Sequence, residues 1–263
     1  MTTIACFKWV VSDQDLRTDP STHDLDTSRA RHEISPYDRN TIECARLTAA
    51  ARATASGTSQ ELVGLTFGDI TPVGLKDALA RGLDSTLQVL PPSGVEVDGR
   101  VTAQALAAAI RGVEGADLVI TTEGAADTYA HETAPRIAEL LDWPLITNAQ
   151  SLEVDGTTLR ATRVLDDAIE HVECSLPAVV SVVPEIAPAP IPGLKAVMGA
   201  AKKAKKKVTV EDLGLATADL APRTHTARTT GYVAERRHVR HDGTPQEIAD
   251  SLVSSLEQDG VLA

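Results

Sequence analysis

Between two stretches of apolar residues the chain carries Thr122-Glu123-Gly124-Ala125-Ala126-Asp127-Thr128-Tyr129-Ala130-His131-Glu132-Thr133, a run of hydroxyls, carboxylates, one imidazole and small side chains. Glu123, Asp127 and Glu132 could in principle do acid–base or metal chemistry. No second histidine stands at ligand spacing on an adjacent predicted strand, which makes catalysis the weaker reading. A lone histidine beside a helix start, His131, reads as a surface or capping side chain. Small residues and hydroxyls suit another task, receiving phosphate oxygens on backbone N–H groups at the positive end of a helix. The flanks agree with this. Leu118-Val119-Ile120 reads as a buried strand, and the amphipathic stretch ending Leu140-Leu141-Asp142-Trp143-Pro144 reads as a helix. Strand, small-residue turn and helix in an open α/β sheet put the turn at the strand's carboxyl end, where nucleotides bind.

Other reactive residues have plainer readings. Cys6 lies inside an apolar run and is expected to pack inertly. Asp13 and Asp15 are expected to form a turn. Lys8, odd within an apolar strand, is expected to reach the crevice rim or to pair with a carboxylate in the interface. Cys6, Cys44 and Cys174 are far apart, with no spacing for zinc or an iron–sulfur cluster. Free thiols fit a reducing, cytoplasmic setting.

The elements that must position this turn follow from periodicity. Strands are expected at Ile4–Val11, Glu61–Phe67, Thr86–Leu90 and near Leu118, with helices over Thr41–Ala53, Lys76–Arg81 and Thr102–Arg111 between them. This alternation predicts an α/β fold, a doubly wound, mainly parallel sheet with right-handed crossovers. Thr158–Val164 and Ile169–Cys174 then read as a hairpin that extends the sheet with antiparallel strands, and Ala178–Val183 as a further buried strand. Aromatic residues make up only 3% of the chain against 43% hydrophobic residues overall, so the core must be built from small aliphatics that let helices approach the sheet closely.

The formal net charge of −12 argues against a nucleic-acid partner, which demands a broad basic surface. The one basic cluster, Lys202, Lys203, Lys205, Lys206 and Lys207, reads as a solvated helix end or loop following a helix over Leu194–Ala204. Pro184 to Gly193 carries too many prolines for a helix or a central strand and is expected to be extended and exposed. Beyond Gly214 the chain is polar and rich in Thr and Arg until a final amphipathic helix over Pro245–Leu256, a composition that suits wrapping a partner better than forming a core. The expected division is therefore an α/β domain over 1–214 and a C-terminal arm over 215–263. No basic leader and no apolar run of membrane-spanning length is present in the sequence.

Taken together, Ile34 to Asp38, Lys76-Asp77 with Ala80-Arg81-Gly82, Thr122 to Pro144, Leu176 to Val180 and Ile191 to Lys203 resemble the beta subunit of electron transfer flavoproteins, most closely the Fix-type branch. The resemblance runs from the first strand to about Gly214. It implies a fold like that of the adenine nucleotide alpha hydrolases and a heterodimer whose alpha subunit carries the redox FAD. The beta subunit of such a pair binds AMP, or in some Fix-type relatives a second FAD, with electron pairs then split between two acceptors. Electrons would pass from a donor dehydrogenase to a membrane quinone oxidoreductase, and the subunit would be a carrier and no enzyme.

Carried over position by position, the family's nucleotide contacts fall on Cys6, on Ser35, Pro36, Tyr37 and Asp38, on Phe67, and on every residue from Thr122 to Thr133. Other members have Asn in place of Ser35 and an acidic triplet in place of Asp127-Thr128-Tyr129, and the aromatic Phe67 stands where a small residue is usual, free to narrow an adenine pocket or to stack on it. The family's dehydrogenase-recognition loop falls on the proline-rich segment, with Ile191 as the inserted apolar residue and Pro192 and Lys195 beside it. Two rival readings use the same core, an ATP-dependent adenylating or hydrolysing enzyme and a nucleotide-sensing stress protein. The first wants a glycine-rich loop after the first strand, where Ser12-Asp13-Gln14-Asp15 stands instead. The second has no use for the proline-rich segment or the polar tail.

Overall fold

The computed structural model describes residues 1–94, 96–233 and 236–262. Residues 234, 235 and 263, within the arm expected over 215–263, lie outside the described residues. In chain order the elements are β1 (Thr2–Cys6), β2 (Trp9–Val11), β3 (Arg17–Thr18), β4 (Leu25–Asp26), β5 (His32–Ile34), α1 (Pro36–Ser56), β6 (Glu61–Phe67), α2 (Pro72–Ala80), β7 (Ser85–Leu90), α3 (Gly99–Arg111), β8 (Ala116–Thr122) and α4 (Thr133–Leu141). They continue with β9 (Leu145–Asp155), β10 (Thr158–Val164), β11 (Ile169–Ser175), β12 (Ala178–Val182), α5 (Leu194–Ala200), β13 (Ala204–Thr209) and α6 (Pro245–Gln258). The chain forms two compact units, one of residues 1–17 with 26–229 and one of residues 18–25 with 230–263.

The first unit is an α/β fold around a nine-stranded sheet in the order β11-β10-β9-β12-β8-β1-β6-β7-β13. All pairings from β9 to β13 are parallel, and β10 and β11 add antiparallel strands at one side. Every residue of β1 and of β12 is buried, because helices cover both faces. The two-residue period divides them cleanly. Ile4, Val63, Val119 and Val179 stand in register and face α3 and α4, whereas Ala5, Leu62, Ile120 and Val180 face the core against α1 and α2. Gly64 admits no larger residue: a Cβ there would lie 2.3 Å from Leu83 Cδ1 and 3.1 Å from the Phe7 ring.

From β1 the chain moves outward to β6 and β7, then returns to the other side of β1 at β8. The strand order therefore reverses beside β1, and the crevice at the carboxyl ends of β1 and β8 is where such a sheet takes a ligand.

Three expectations are corrected. The strand expected over Ile4–Val11 breaks after Cys6, since the Lys8 N–H goes to Asp38 Oδ2 at 2.7 Å and the Lys8 carbonyl accepts from Ser35 N at 3.0 Å; β2 then pairs antiparallel with β5. Residues 145–155, given no element by the sequence, form the longest strand, whose pattern is disturbed around Asn148 at φ 56° and by a shift in its pairing with β12. The helix expected over Leu194–Ala204 ends at Ala200, and Lys205, Lys206 and Lys207 lie on β13 at the sheet's edge, paired with β7. The Lys203 ammonium donates to the carbonyls of Leu79 (3.2 Å) and Leu83 (2.6 Å), and Lys205 Nζ donates to those of Ala200, Ala201 and Lys203. Backbone acceptors, not only solvent, hold these lysines.

In the second unit α6 starts with a capping box in which Thr244 N donates to Glu247 Oε2 and Glu247 N to Thr244 Oγ1. None of its residues is buried, and Ile248, Leu252 and Val253 are exposed on it.

Candidate functional site

A cavity of about 570 Å³ opens at the carboxyl ends of β1, β6 and β8. The strand ends supply Cys6, Phe7 and Lys8, then Leu65 and Phe67, then Thr121 and Thr122. The turn between β8 and α4 supplies Glu123, Gly124, Ala125, Thr128, Ala130, His131 and Glu132, with Thr133 opening the helix. Asp38, in the first turn of α1, also lines it. Two helices thus start at this cavity and a third, α3, does so at Gly99, so that three positive helix ends converge on one hollow.

Of the residues the sequence marked, Ser35, Pro36, Tyr37, Ala126, Asp127 and Tyr129 do not line the cavity, and most of them brace the turn. The buried Ser35 Oγ accepts from Ala126 N at 3.3 Å. Asp127 pairs with Lys8 Nζ at 2.7 Å, so the carboxylate that Lys8 meets belongs to the chain itself and not to an interface, while Lys8 also lines the cavity as expected. Tyr129 and His131 are non-glycine residues at positive φ, 44° and 55°, a conformation costing about 1–3 kcal/mol each and kept only where the surroundings enforce it. The enforcing contacts are visible: Tyr129 N donates to Ala125 O at 2.9 Å, its hydroxyl donates to Glu123, and its ring meets Tyr37 and His131 edge-on at 5.9 and 4.3 Å. The Glu123 bond pushes the Tyr129 phenol up to about 12. Gly124 fits beneath the Tyr129 ring, where a Cβ would come within 2.7 Å of it.

The sequence missed the far wall. Pro91, Glu96, Val97, Asp98, Gly99, Thr102 and Leu106, around the start of α3, face the turn, as do Thr224, His225 and Thr226. The Asp98-x-x-Val101 spacing is an N-cap signal, whereas nothing local ties residues 224–226 to this place.

The wall is rich in carboxylates, yet each already receives a donor. Asp38 accepts from Lys8 N, Glu96 from Thr226 N at 3.1 Å, Glu123 from the Tyr129 hydroxyl, and Glu132 pairs with Arg136 at 2.9 Å. Burial raises the Asp98 carboxyl, but N–H donors from Val101, Arg223 and Thr224 together outweigh it and hold the group below the usual carboxylate range. Asp38, 2% exposed, is raised by burial to about 7, against the pull of the Lys8 N–H and ammonium. Burial, with the Asp38 charge adding to it, lifts the Cys6 thiol to about 12, so the sulfur stays protonated and unreactive. Among the described residues no group of His, Cys, Asp and Glu is arranged to hold a metal ion.

The proline-rich segment packs beside α1. After a turn of 3₁₀ helix at Pro184–Ile186 it has no regular structure up to Gly193. Asn40 fixes its base, donating from Nδ2 to Pro184 O at 2.6 Å and accepting Ala189 N at 2.9 Å on Oδ1. At its tip Ile191 is 94% exposed, followed by Leu194 at 77% and Met198 at 67%, with Lys195 exposed between them and Pro192 half-buried. An apolar side chain bared to this degree between two prolines has no role in the core. No helix among the described residues is long and apolar enough to cross a membrane.

Compared with known families, residues 22–213 match the model of the electron transfer flavoprotein domain, well over half of the chain.

Proposed function

We infer that this chain, which belongs to the electron transfer flavoprotein family of electron carriers, is a beta subunit of the Fix-type branch whose crevice holds an adenine nucleotide, AMP or a second FAD. The observation that carries this reading is the cavity of about 570 Å³ at the reversal of strand order, a size and place suited to one nucleotide. Its apolar lining of Leu65, Phe67, Val97 and Leu106 suits a base and ribose. The hydroxyls of Thr128 and Thr133 and the peptide N–H groups of the turn suit a phosphate, and the pairing of Glu132 with Arg136 and of Asp127 with Lys8 offsets part of the repulsion from neighbouring carboxylates.

Bound AMP supplies no redox chemistry and FAD in its place supplies a second flavin. The chain's residues bind and orient: the turn is held by the Lys8–Asp127 pair, Ser35 and Tyr129, and the unreactive Cys6 closes the floor. The redox FAD belongs to an alpha subunit, for which the exposed apolar stripe of α6 and the polar arm offer a packing surface. A donor dehydrogenase docks on the segment around Ile191, Pro192 and Lys195, and a membrane quinone oxidoreductase takes the electrons onward. A rigid, preorganised apolar anchor loses little entropy on binding, which suits a brief electron-transfer contact.

The test is to co-express the chain with a flavoprotein alpha subunit, denature the purified heterodimer, identify the released nucleotides by mass and count FAD per dimer. One FAD with one AMP, or two FAD, is the expected content. A heterodimer that releases no nucleotide beyond the alpha subunit's FAD overturns the reading, and adenylate formation from ATP by the isolated chain would make it an enzyme.

A further inference from the structure

We propose that Thr224-His225-Thr226 form a nucleotide-contacting wall of the crevice, and that Asp98 and Glu96 are the positioning residues that hold this wall in place. The proposal rests on the nucleotide reading above and adds to it a stretch of chain that lies beyond the family match at 22–213. The Asp98 carboxylate is shared between two elements 125 residues apart. Its Oδ1 caps α3 by accepting Val101 N at 2.9 Å, while its Oδ2 accepts Arg223 N at 2.8 Å, Thr224 N at 3.3 Å and the Thr224 hydroxyl at 3.5 Å. Glu96 Oε1 takes Thr226 N at 3.1 Å. Two carboxylates therefore fasten the lining residues Thr224 and Thr226, and between the fastened positions sits His225, itself on the cavity wall.

The chemistry of this wall complements the turn at 122–133. Two hydroxyls and an imidazole offer both donors and acceptors, and the positioning bonds run through the peptide N–H groups of Thr224 and Thr226. Charge-assisted bonds of this kind are about twice as strong as neutral ones, so the wall is held more firmly than an ordinary loop. A ligand seated against it leaves more slowly than from the turn alone. The main effect of loosening the wall falls on dissociation, as it does for most changes at a formed interface.

The test uses the full chain in complex with its alpha subunit and follows release of AMP, and separately of FAD, from the crevice by chase with excess unlabelled nucleotide. Asp98→Asn keeps one oxygen for the helix cap, at which Asn serves as well as Asp, and loses the second carboxylate oxygen that fastens residues 223 and 224. Thr226→Pro removes the N–H bound by Glu96 without touching α3, and Glu96→Gln retains an acceptor and serves as the conservative control. Asp98→Asn and Thr226→Pro are each expected to raise the dissociation rate about tenfold with an association rate within about twofold of wild type, while Glu96→Gln stays close to wild type. The unfolding midpoint without added nucleotide is expected to fall only slightly in Asp98→Asn and Thr226→Pro, because the bonds they lose lie at the exposed surface. Wild-type rates in both altered proteins, or equal changes in association and dissociation, would sink the wall while leaving the nucleotide reading intact. A wild-type complex that binds neither AMP nor FAD at this crevice removes both.

Discussion

The turn at 122–133 and the segment at 184–198 follow the carboxyl ends of two adjacent parallel strands, β8 and β12, yet they spend their residues in opposite ways. The turn is knit together and into its surroundings: Ser35 and Tyr37 at the start of α1 and Lys8 after β1 reach it, Glu123 braces it from within, and two residues are kept in left-handed conformations by those contacts. The segment is tied at its base by one side chain, Asn40, and turns its most apolar residues outward. A site that must hold one ligand in one orientation needs many internal restraints, because each lost degree of freedom sharpens the geometry. A surface that must meet and leave a partner needs a stiff backbone and a bare side chain, because further internal contacts would cover what the partner has to reach.

That contrast can be broken from either side. Ile191→Asp is expected to lower kcat/KM for electron uptake from the donor dehydrogenase by roughly a hundredfold, the scale of a central anchor residue, with nucleotide content unchanged; a parallel loss of nucleotide would mean that the two regions are not separate. Gly124→Val is the mirror experiment. A side chain placed within 2.7 Å of the Tyr129 ring and 3.1 Å of its Cα must displace the turn, at a cost of about 1–3 kcal/mol. Nucleotide retained per heterodimer should fall about tenfold on that cost, while the dehydrogenase KM of protein reloaded with nucleotide stays at the wild-type value.

The smallest effect concerns Asp38 and has a definite sign. Burial raises its pKa from 3.8 to about 7, so the folded state holds a proton that the unfolded state has released between those values. This group's contribution to stability is therefore fully favourable below about pH 4, declines as pH rises to 7, and is an unfavourable burial of charge above that. Asp38→Asn keeps an acceptor for Lys8 N and cannot ionise. Urea unfolding at pH 5.5 and at pH 8.5 should show the variant gaining stability relative to wild type at the higher pH; a difference independent of pH would show that Asp38 ionises normally.

How much of this was readable beforehand depended on whether the signal was local. The strand at Glu61–Phe67 was legible to the residue, because a short apolar run closes on Gly68-Asp69. The turn, Asp38 and Phe67 were legible as neighbours from the family resemblance and because a parallel sheet collects its strand ends, whereas Cys6 was legible from the resemblance alone, since its strand was read as running on to Val11. The break after Cys6 was not, since it depends on Asp38 taking an N–H from a residue 30 positions away. Nor was the role of Ser35, Asp127 and Tyr129 as braces: the residue types were marked, but only the folded turn shows that Asp127 faces Lys8 and not the cavity. The wall at 224–226 was wholly silent. Its residues read as a polar tail, and the carboxylates that recruit them sit on the approach to α3.

The rim formed by β13 has a consequence for the molecule's behaviour in company. A strand at the outer limit of a broad sheet exposes peptide groups that could template another chain. Lys206 and Lys207 sit there side by side in sequence, on alternate faces of the strand. Were two copies to meet rim to rim, like charges would come opposite one another, an arrangement that is destabilising. Polymer growth through this rim of the sheet is thus discouraged by charge.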